Sequence, residues 1–384
     1  MHVLIIPSSR FITETEPYSS IFQWHQAKAL KKTGFKVGVL SVGYITLRYL
    51  FKKYKYKKIE KLSNINVYRK YEYLLFPHRH IPFFILKYVY IKKGLKYFEQ
   101  YIKKEGIPDI IHAHNFFFGG FIAEAIKEKY GIDFIITEHS STFDRGYIPS
   151  KLNNTILQCA LSSLQVTAVS QNFAKNLKKR LSIDIKVLPN IVDEYFFSLE
   201  TQNISISEAD SFTFLNIATM NENKNQSLLI KAFANKFKNS NCLLRLGGSG
   251  PDKNKLVNLV KSLNIESQVK FLGKLSQEEV KKEMLNANCF LLSSNYETFG
   301  VVLIEALACR TPVISTKCGG PEDIVNEKNG ILVEVGNIKE FANAMFLIYK
   351  NINSFDLNFI SNDVKKKFGS DSFLNNVLKF YRNS

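Results

Sequence analysis

Twice along this chain, apolar runs of strand length alternate with stretches of helical periodicity, and the pattern lapses once between the two series. The first series opens with HVLIIP, a continuously apolar run of the kind buried on both faces. SSIFQWHQAKALKKTG follows as a helix closing on a glycine. FKVGVLSV, DIIHAHN, FIITEHSS and LQVTAVS come next as strands, with helical segments such as GFIAEAIKEKYG between them. Over residues 194–212 the chain turns polar and aperiodic, which marks an interdomain linker. The alternation then restarts with strands FTFLNIA, CLLRLGG, VKFLG, CFLLSS and PVIST. Helices NQSLLIKAFANKF, DKNKLVNLVKSLNI, SQEEVKKEMLNA and TFGVVLIEALAC lie between and beside them. Each series predicts a parallel, doubly wound α/β sheet. At 384 residues the chain is too long for one ordinary core. Two domains are expected, residues 1–195 and 196–365, facing a central cleft, with a helix in 366–384 packing back towards the first. In open α/β sheets ligands bind beyond the carboxyl ends of the strands, so the residues just past each strand carry the functional reading.

Composition narrows the classes. The five cysteines are scattered without a C-x-x-C pair, which speaks against a zinc site or a disulfide framework. The short apolar run of MHVLIIPSSR has no basic segment before it, so no secretory leader is expected. Pro82 to Ile91, the best candidate for a membrane span, is short and interrupted by Lys87. A cytoplasmic location is expected. The net charge of +18 is concentrated: Arg48 to Lys104 holds 16 Lys and Arg against three Glu. Aromatic residues interleave with these cations, which suits an anionic membrane leaflet or a nucleic acid.

The richest segment for chemistry is CFLLSSNYETFGVVLIEALACRTPVISTKCGGPEDIV. A strand ends at Ser293, a loop carries Asn295, Tyr296 and Glu297, and a helix is expected to start near Thr298 or Phe299, with Gly300 permitting close approach. The free amides of a helix start bind anionic oxygens, so this is a candidate phosphate cradle. Glu305 lies eight positions beyond Glu297, about 12 Å along a continuous helix. That exceeds the roughly 5–5.5 Å and 6.5–9.5 Å separations of hydrolytic carboxylate pairs. Two acids holding different hydroxyls of one extended ligand fit better. Lys224, past a strand and at a helix start, can neutralise charge growing on a departing diphosphate. Gly247, Gly248 and Gly250 make a strand-to-helix turn. His139 lies just past the strand in FIITEHSS, and His112 and His114 alternate on one strand face without an acid at metal-ligand spacing.

Glu297 to Glu305, E-T-F-G-V-V-L-I-E, resembles the E-x7-E motif of retaining glycosyltransferases of family 4, which have the GT-B fold of two Rossmann-like domains. The series around it matches too: TAVS, KVLPNIVD, the Lys224 region, LLRLGGSGP, VKFLG, E-A-x-A-C, T-P-V-I, G-G-x-E-x-I-V and N-G-I-L-V. The resemblance covers nearly the whole chain and is strongest from about residue 165 to 335. It implies that Glu297 contacts the donor sugar and Glu305 the ribose. Thr298 and the backbone of Phe299, Gly300 and Val301 would meet the diphosphate or sugar, Gly248 would let the donor approach, and Leu272 and Gly273 would border the base. His139 would contact the transferred sugar or the acceptor side. The family usually carries an Arg five positions before Lys224, where this chain has Thr219, a residue without the bidentate phosphate fork. Its usual glycines in the first strand-to-helix loop are replaced by PSSRFITETEPYSS.

The implied activity is transfer of a hexose-type sugar from a UDP- or GDP-sugar to a hydroxyl with anomeric retention and no metal cofactor. A glycan or lipid-linked glycan acceptor in capsule or O-antigen assembly follows, with the basic stretch 48–104 docking at an anionic membrane surface and no nucleic acid as partner. A nucleotide-sugar epimerase of the same fold, or a non-catalytic sugar- or nucleic-acid-binding protein, are the alternatives.

Overall fold

A computed structural model describes residues 1–16, 18–46, 54–74, 81–198 and 211–381. The chain divides into two compact units, Met1–Ile191 with Ser370–Ser384, and Val192–Gly369. In the expected linker, Glu194–Phe197 forms a short 3-10 turn within the second unit, and residues 199–210 lie outside the described residues.

The first unit is built on β1 (His2–Ile6), α1 (Ile21–Lys32), β2 (Lys36–Thr46), β3 (Ile59–Leu62), β4 (Ile65–Leu74), α2 (Phe83–Glu105), β5 (Ile110–His114), α3 (Phe121–Tyr130), β6 (Phe134–Glu138), α4 (Asn153–Ser162), β7 (Gln165–Ala168), α5 (Gln171–Leu181) and β8 (Lys186–Val187). Its sheet runs β3-β4-β2-β1-β5-β6-β7-β8. All pairings are parallel except β3 with β4. Those two form a hairpin that sequence periodicity did not reveal. Its two-residue turn, Ser63 and Asn64, has both φ angles positive (44° and 61°), the twist that tight hairpins require.

The second unit contains β9 (Thr213–Ile217), α6 (Gln226–Phe237), β10 (Leu243–Gly247), α7 (Lys253–Ser262), β11 (Val269–Gly273), α8 (Gln277–Leu285), β12 (Cys289–Leu292), α9 (Val301–Ala308), β13 (Val313–Thr316), β14 (Gly330–Val333), α10 (Ile338–Asn351) and α11 (Leu357–Phe368). Its sheet is wholly parallel in the order β11-β10-β9-β12-β13-β14. Every residue of β1, β5, β6, β12 and β13 is buried. That is what central parallel strands covered by helices on both faces demand, and it is why their residues are mainly apolar.

A last helix, α12 (Ser370–Tyr381), belongs to the first unit. Its Phe373, Val377 and Tyr381 join the core formed by Val3, Ile5, Trp24 and Leu30. Each such side chain contributes about 1.5–3 kcal/mol on burial, enough to hold a 12-residue helix in place. All five cysteines are free and buried. Among the described residues, no helix is long and apolar enough to cross a membrane.

Candidate active site

In each sheet the strand order reverses once, at β1/β5 and at β9/β12. At such points the chain leaves neighbouring strands towards opposite faces of the sheet, and ligands of open α/β sheets bind beyond the carboxyl ends of those strands. In the second unit the loops after β9 and β12 are laced together. The Asn295 amide donates to the Asn223 carbonyl at 2.7 Å, and the Ser293 hydroxyl donates to the Lys224 carbonyl at 2.8 Å. The Asn223 side chain donates to the Tyr296 carbonyl at 3.1 Å. This lacing carries Lys224 to Glu297: its ammonium donates to Glu297 Oε1, which also accepts from the Ser294 hydroxyl at 2.7 Å. The two side chains are 25% and 15% exposed, so the pair is partly shielded yet reachable.

A third loop, after β13, fixes the Glu297 backbone. The Glu297 amide donates to the Cys318 carbonyl and its carbonyl accepts from the Gly320 amide, both at 2.9 Å. A Cβ at Gly320 would stand 2.1 Å from Phe299 Cα, so only glycine lets the two loops close. The Glu322 carboxylate accepts from the Gly319 amide at 3.0 Å. Sequence reading singled out Gly319 and Gly320 only as part of a motif. Their task is to pin Glu297.

This pinning corrects the expected helix start. Thr298 and Phe299 are not helical. Glu297 bridges Gly319 in strand fashion, and α9 begins at Val301 with Gly300 capping it at φ 102°. The 12 Å spacing for a continuous helix from Glu297 to Glu305 therefore does not apply. Of the first amides of α9, that of Leu303 donates to the Gly300 carbonyl at 2.9 Å, and those of Val301 and Val302 have no preceding turn to bond. Phe299 is buried, with its ring 5.6 Å from that of Phe368. Glu305 is half-buried on α9, and its carboxyl is pushed up to about 8 by burial first and by Asp193 second. Gly248 has φ 113°, and its amide donates to the Gly273 carbonyl at 2.6 Å. A Cβ there would meet the Ala218 carbonyl at 2.0 Å. What demands this glycine is a neighbouring loop of the protein. Leu272 and Gly273 end β11 beside it, and Thr219 is exposed in the β9 loop.

In the first unit, His139 follows β6 and His114 ends β5. His114 Nδ1 and His139 Nε2 are 2.9 Å apart, and the His112 and His114 rings stack at 4.4 Å. His112 is held between Thr137 and the Tyr381 hydroxyl, at 2.7 and 2.8 Å. Burial lowers all three: His112 and His139 to about 3, His114 well below its ordinary value. These rings are neutral hydrogen-bonding groups at neutral pH. Glu138, which sequence reading passed over, is fully buried. Its carboxylate accepts from the amides of Phe116, His139 and Ser140 at 3.0, 3.1 and 2.8 Å. Burial nonetheless pushes it up to about 7, the amide bonds opposing the shift. Glu138, Ser8, Asn115, Ser140, Phe117 and Tyr147 line a cavity of about 400 Å³ in this unit.

Residues 21–195 match the family described as Glycosyltransferase Family 4, and residues 199–363 match Glycosyl transferases group 1. The chain belongs to glycosyltransferase family 4. It is 34% identical over 254 residues to the N-acetyl-alpha-D-glucosaminyl L-malate synthase of Bacillus anthracis, covering 63% of this chain and 66% of that protein. It is 30% identical over 210 residues to a Campylobacter jejuni N-acetylgalactosamine-N,N'-diacetylbacillosaminyl-diphospho-undecaprenol 4-alpha-N-acetylgalactosaminyltransferase, covering 52% and 55%. Anabaena HepE, solved in complex with UDP, superposes with a TM-score of 0.76 at 16% identity over the whole of both chains. At that identity the likeness establishes the fold, GT-B, with two Rossmann-like domains.

Within this glycosyltransferase, the second unit brings Lys224 onto Glu297, four residues before α9 begins at Val301, with Glu305 further along that helix. His139 stands in the first unit. Among the described residues, no three His, Cys, Asp or Glu side chains are grouped to hold a metal ion. An ammonium beside a carboxylate, under unpaired helix amides, can orient a hydroxylated ring and balance a growing phosphate charge.

Proposed function

We propose that this glycosyltransferase moves a hexose-type sugar from a UDP- or GDP-sugar to a hydroxyl, retaining the anomeric configuration. The carrying observation is the Lys224–Glu297 pair at the β9/β12 reversal, below the start of α9. Glu297 orients the sugar, and Lys224 with the amides at Val301 takes up charge as the bond from the anomeric carbon to the diphosphate oxygen breaks. The acceptor oxygen bonds to the same face of that carbon, and its proton passes to the departing phosphate oxygen. Glu305 accepts from the ribose, Gly248, Leu272 and Gly273 border the base, and no metal ion is required. The acceptor is a lipid-linked oligosaccharide at the cytoplasmic face of a membrane, as in capsule or O-antigen assembly. The name of the C. jejuni relative, with its diphospho-undecaprenol, supports that class.

A thermal-shift screen of sugar nucleotides tests the donor, since a ligand at 100-fold its dissociation constant stabilises by about 2.7 kcal/mol. Slow nucleotide release from the best binder, abolished in Glu297→Gln, is the expected result. Release at an unchanged rate in that variant would remove the assignment.

A further inference from the structure

Helix α2 buries one stripe and exposes another. Leu86, Tyr90, Gly94, Phe98 and Tyr101 face inward. On the outside, Phe84, Tyr88, Lys92 and Lys96 follow one another at four-residue steps, and Lys103 continues that side. Phe84 is 71% exposed, Tyr88 63% and Ile85 42%. A cluster of large apolar side chains in one helical turn is costly to leave in water unless something covers it.

Lysines outnumber acids on this stripe, whose one carboxylate, Glu99, is 42% exposed and pairs with Lys129. Both acids of α2 are occupied: Glu99 accepts from Lys129 and Tyr130, and Glu105 accepts from Asn66 and Tyr68. Lys87 and Lys93 face Glu124 and Glu72. In the hairpin, Arg69 and Lys57 face Glu60. Lys92, Lys96, Lys103 and Lys104 are exposed, and none of them is ion-paired among the described residues. Residues 48–53 and 75–80 of the basic stretch lie outside the described residues.

We propose that this stripe of α2 docks on an anionic lipid bilayer. Phe84, Ile85 and Tyr88 enter the headgroup layer, and Lys92, Lys96 and Lys103 meet the lipid phosphates. The proposal narrows the basic stretch to one helix face, and it rests on the proposed function only for the benefit that docking brings. That benefit has a route within the first unit. Phe117, in the wall of the 400 Å³ cavity, lies 5.4 Å from Phe83, the neighbour of Phe84 in the first turn of α2. An amphiphilic acceptor would run its chain along these rings and its hydroxylated head into the cavity. A nucleic acid would want cations along the whole stripe, and the leading turn offers Ile85 in place of one.

Co-sedimentation of the full chain with phosphatidylcholine vesicles, with and without phosphatidylglycerol, tests the proposal. The wild type binds the anionic vesicles at low salt and leaves the neutral ones. Lys92→Gln/Lys96→Gln weakens partitioning about 30-fold, each lysine contributing about 1 kcal/mol, and Phe84→Ser weakens it about tenfold. Equal binding by the lysine variant, no wild-type binding, or binding only to a single-stranded RNA offered in competition would each overturn it. Nucleotide release from the sugar nucleotide without vesicles, measured on the same samples, reports the proposed function separately. If it is absent while charge-dependent binding persists, that reading fails and the docking stands.

Discussion

Both units are doubly wound, and they differ in the charge of the groups placed at the carboxyl ends of their central strands. In the second unit, three loops converge on an ion pair that remains partly open to solvent. In the first, the same sheet edge presents three stacked or hydrogen-bonded imidazoles, all buried and all held neutral. A parallel sheet supplies loops at its carboxyl edge in either case; what differs is the desolvation of the groups placed there. A charged, reachable pair suits an anionic ligand whose charge grows during reaction. Buried neutral imidazoles act there as hydrogen-bonding groups, because an imidazole that cannot take a proton can still accept or donate one hydrogen bond.

The largest expected effect breaks this contrast at its charged end. Lys224→Ala should lower turnover about 100- to 1,000-fold, the scale of losing one preoriented electrostatic partner. The loss should fall on kcat more than on KM, since the charge it answers grows as the donor bond breaks. A variant that keeps kcat would leave Lys224 as a structural tie for Glu297.

Acid should break the contrast at the neutral end. His112 and His139 protonate near 3 when folded and near 6.5 when unfolded. The unfolded chain therefore binds more protons below about pH 6.5, and stability is lost as pH falls through that value, by about 1.4 kcal/mol per pH unit per histidine. Glu138 opposes one of them: raised to about 7, it takes its proton in the folded state first. Trp24, the single tryptophan, is buried in the first unit and reports that unit's unfolding. Its urea midpoint should fall between about pH 7 and pH 5.5. A midpoint that does not move would mean the histidines are charged in the fold.

How much of this was legible depended on whether the deciding contact was local. The buried strands and the Glu297 to Glu305 series could be read because apolar continuity and motif spacing are written along the chain. The start of α9 could not, because Glu297 is drawn into strand pairing by Gly319, a partner on another loop. Nothing along the chain marks Glu138. Its burial depends on amides of Phe116 and Ser140 that only the fold brings together. The β3–β4 hairpin was hidden because its aromatic and basic residues read as a surface, while Tyr71 and Arg69 are in fact buried.

Gly320→Ala sharpens the comparison by loosening one site alone. With Phe299 Cα 2.1 Å from the new Cβ, the β13 loop must shift. A loss of about 1–3 kcal/mol in the second unit is expected, together with weaker nucleotide release because Glu297 loses its backbone anchor. The Trp24 transition of the first unit should stay where it was. If both transitions moved together, the two units would not be energetically separate.

The smallest effect concerns Glu305. Its carboxyl titrates near 8 in the free protein, so it is mostly protonated at neutral pH. A ribose that donates its hydroxyls to this group favours the carboxylate, and binding must then release a proton. Nucleotide affinity should rise with pH up to about 8 and level off above it, at most tenfold per unit. Glu305→Gln keeps the shape and removes the proton, so its affinity should be flat over the same range. Calorimetry in buffers of different ionisation enthalpy would count the released proton directly. A wild-type affinity already flat below pH 8 would mean that the ribose takes the neutral acid as its partner, accepting from the carboxyl where the carboxylate would have accepted from it.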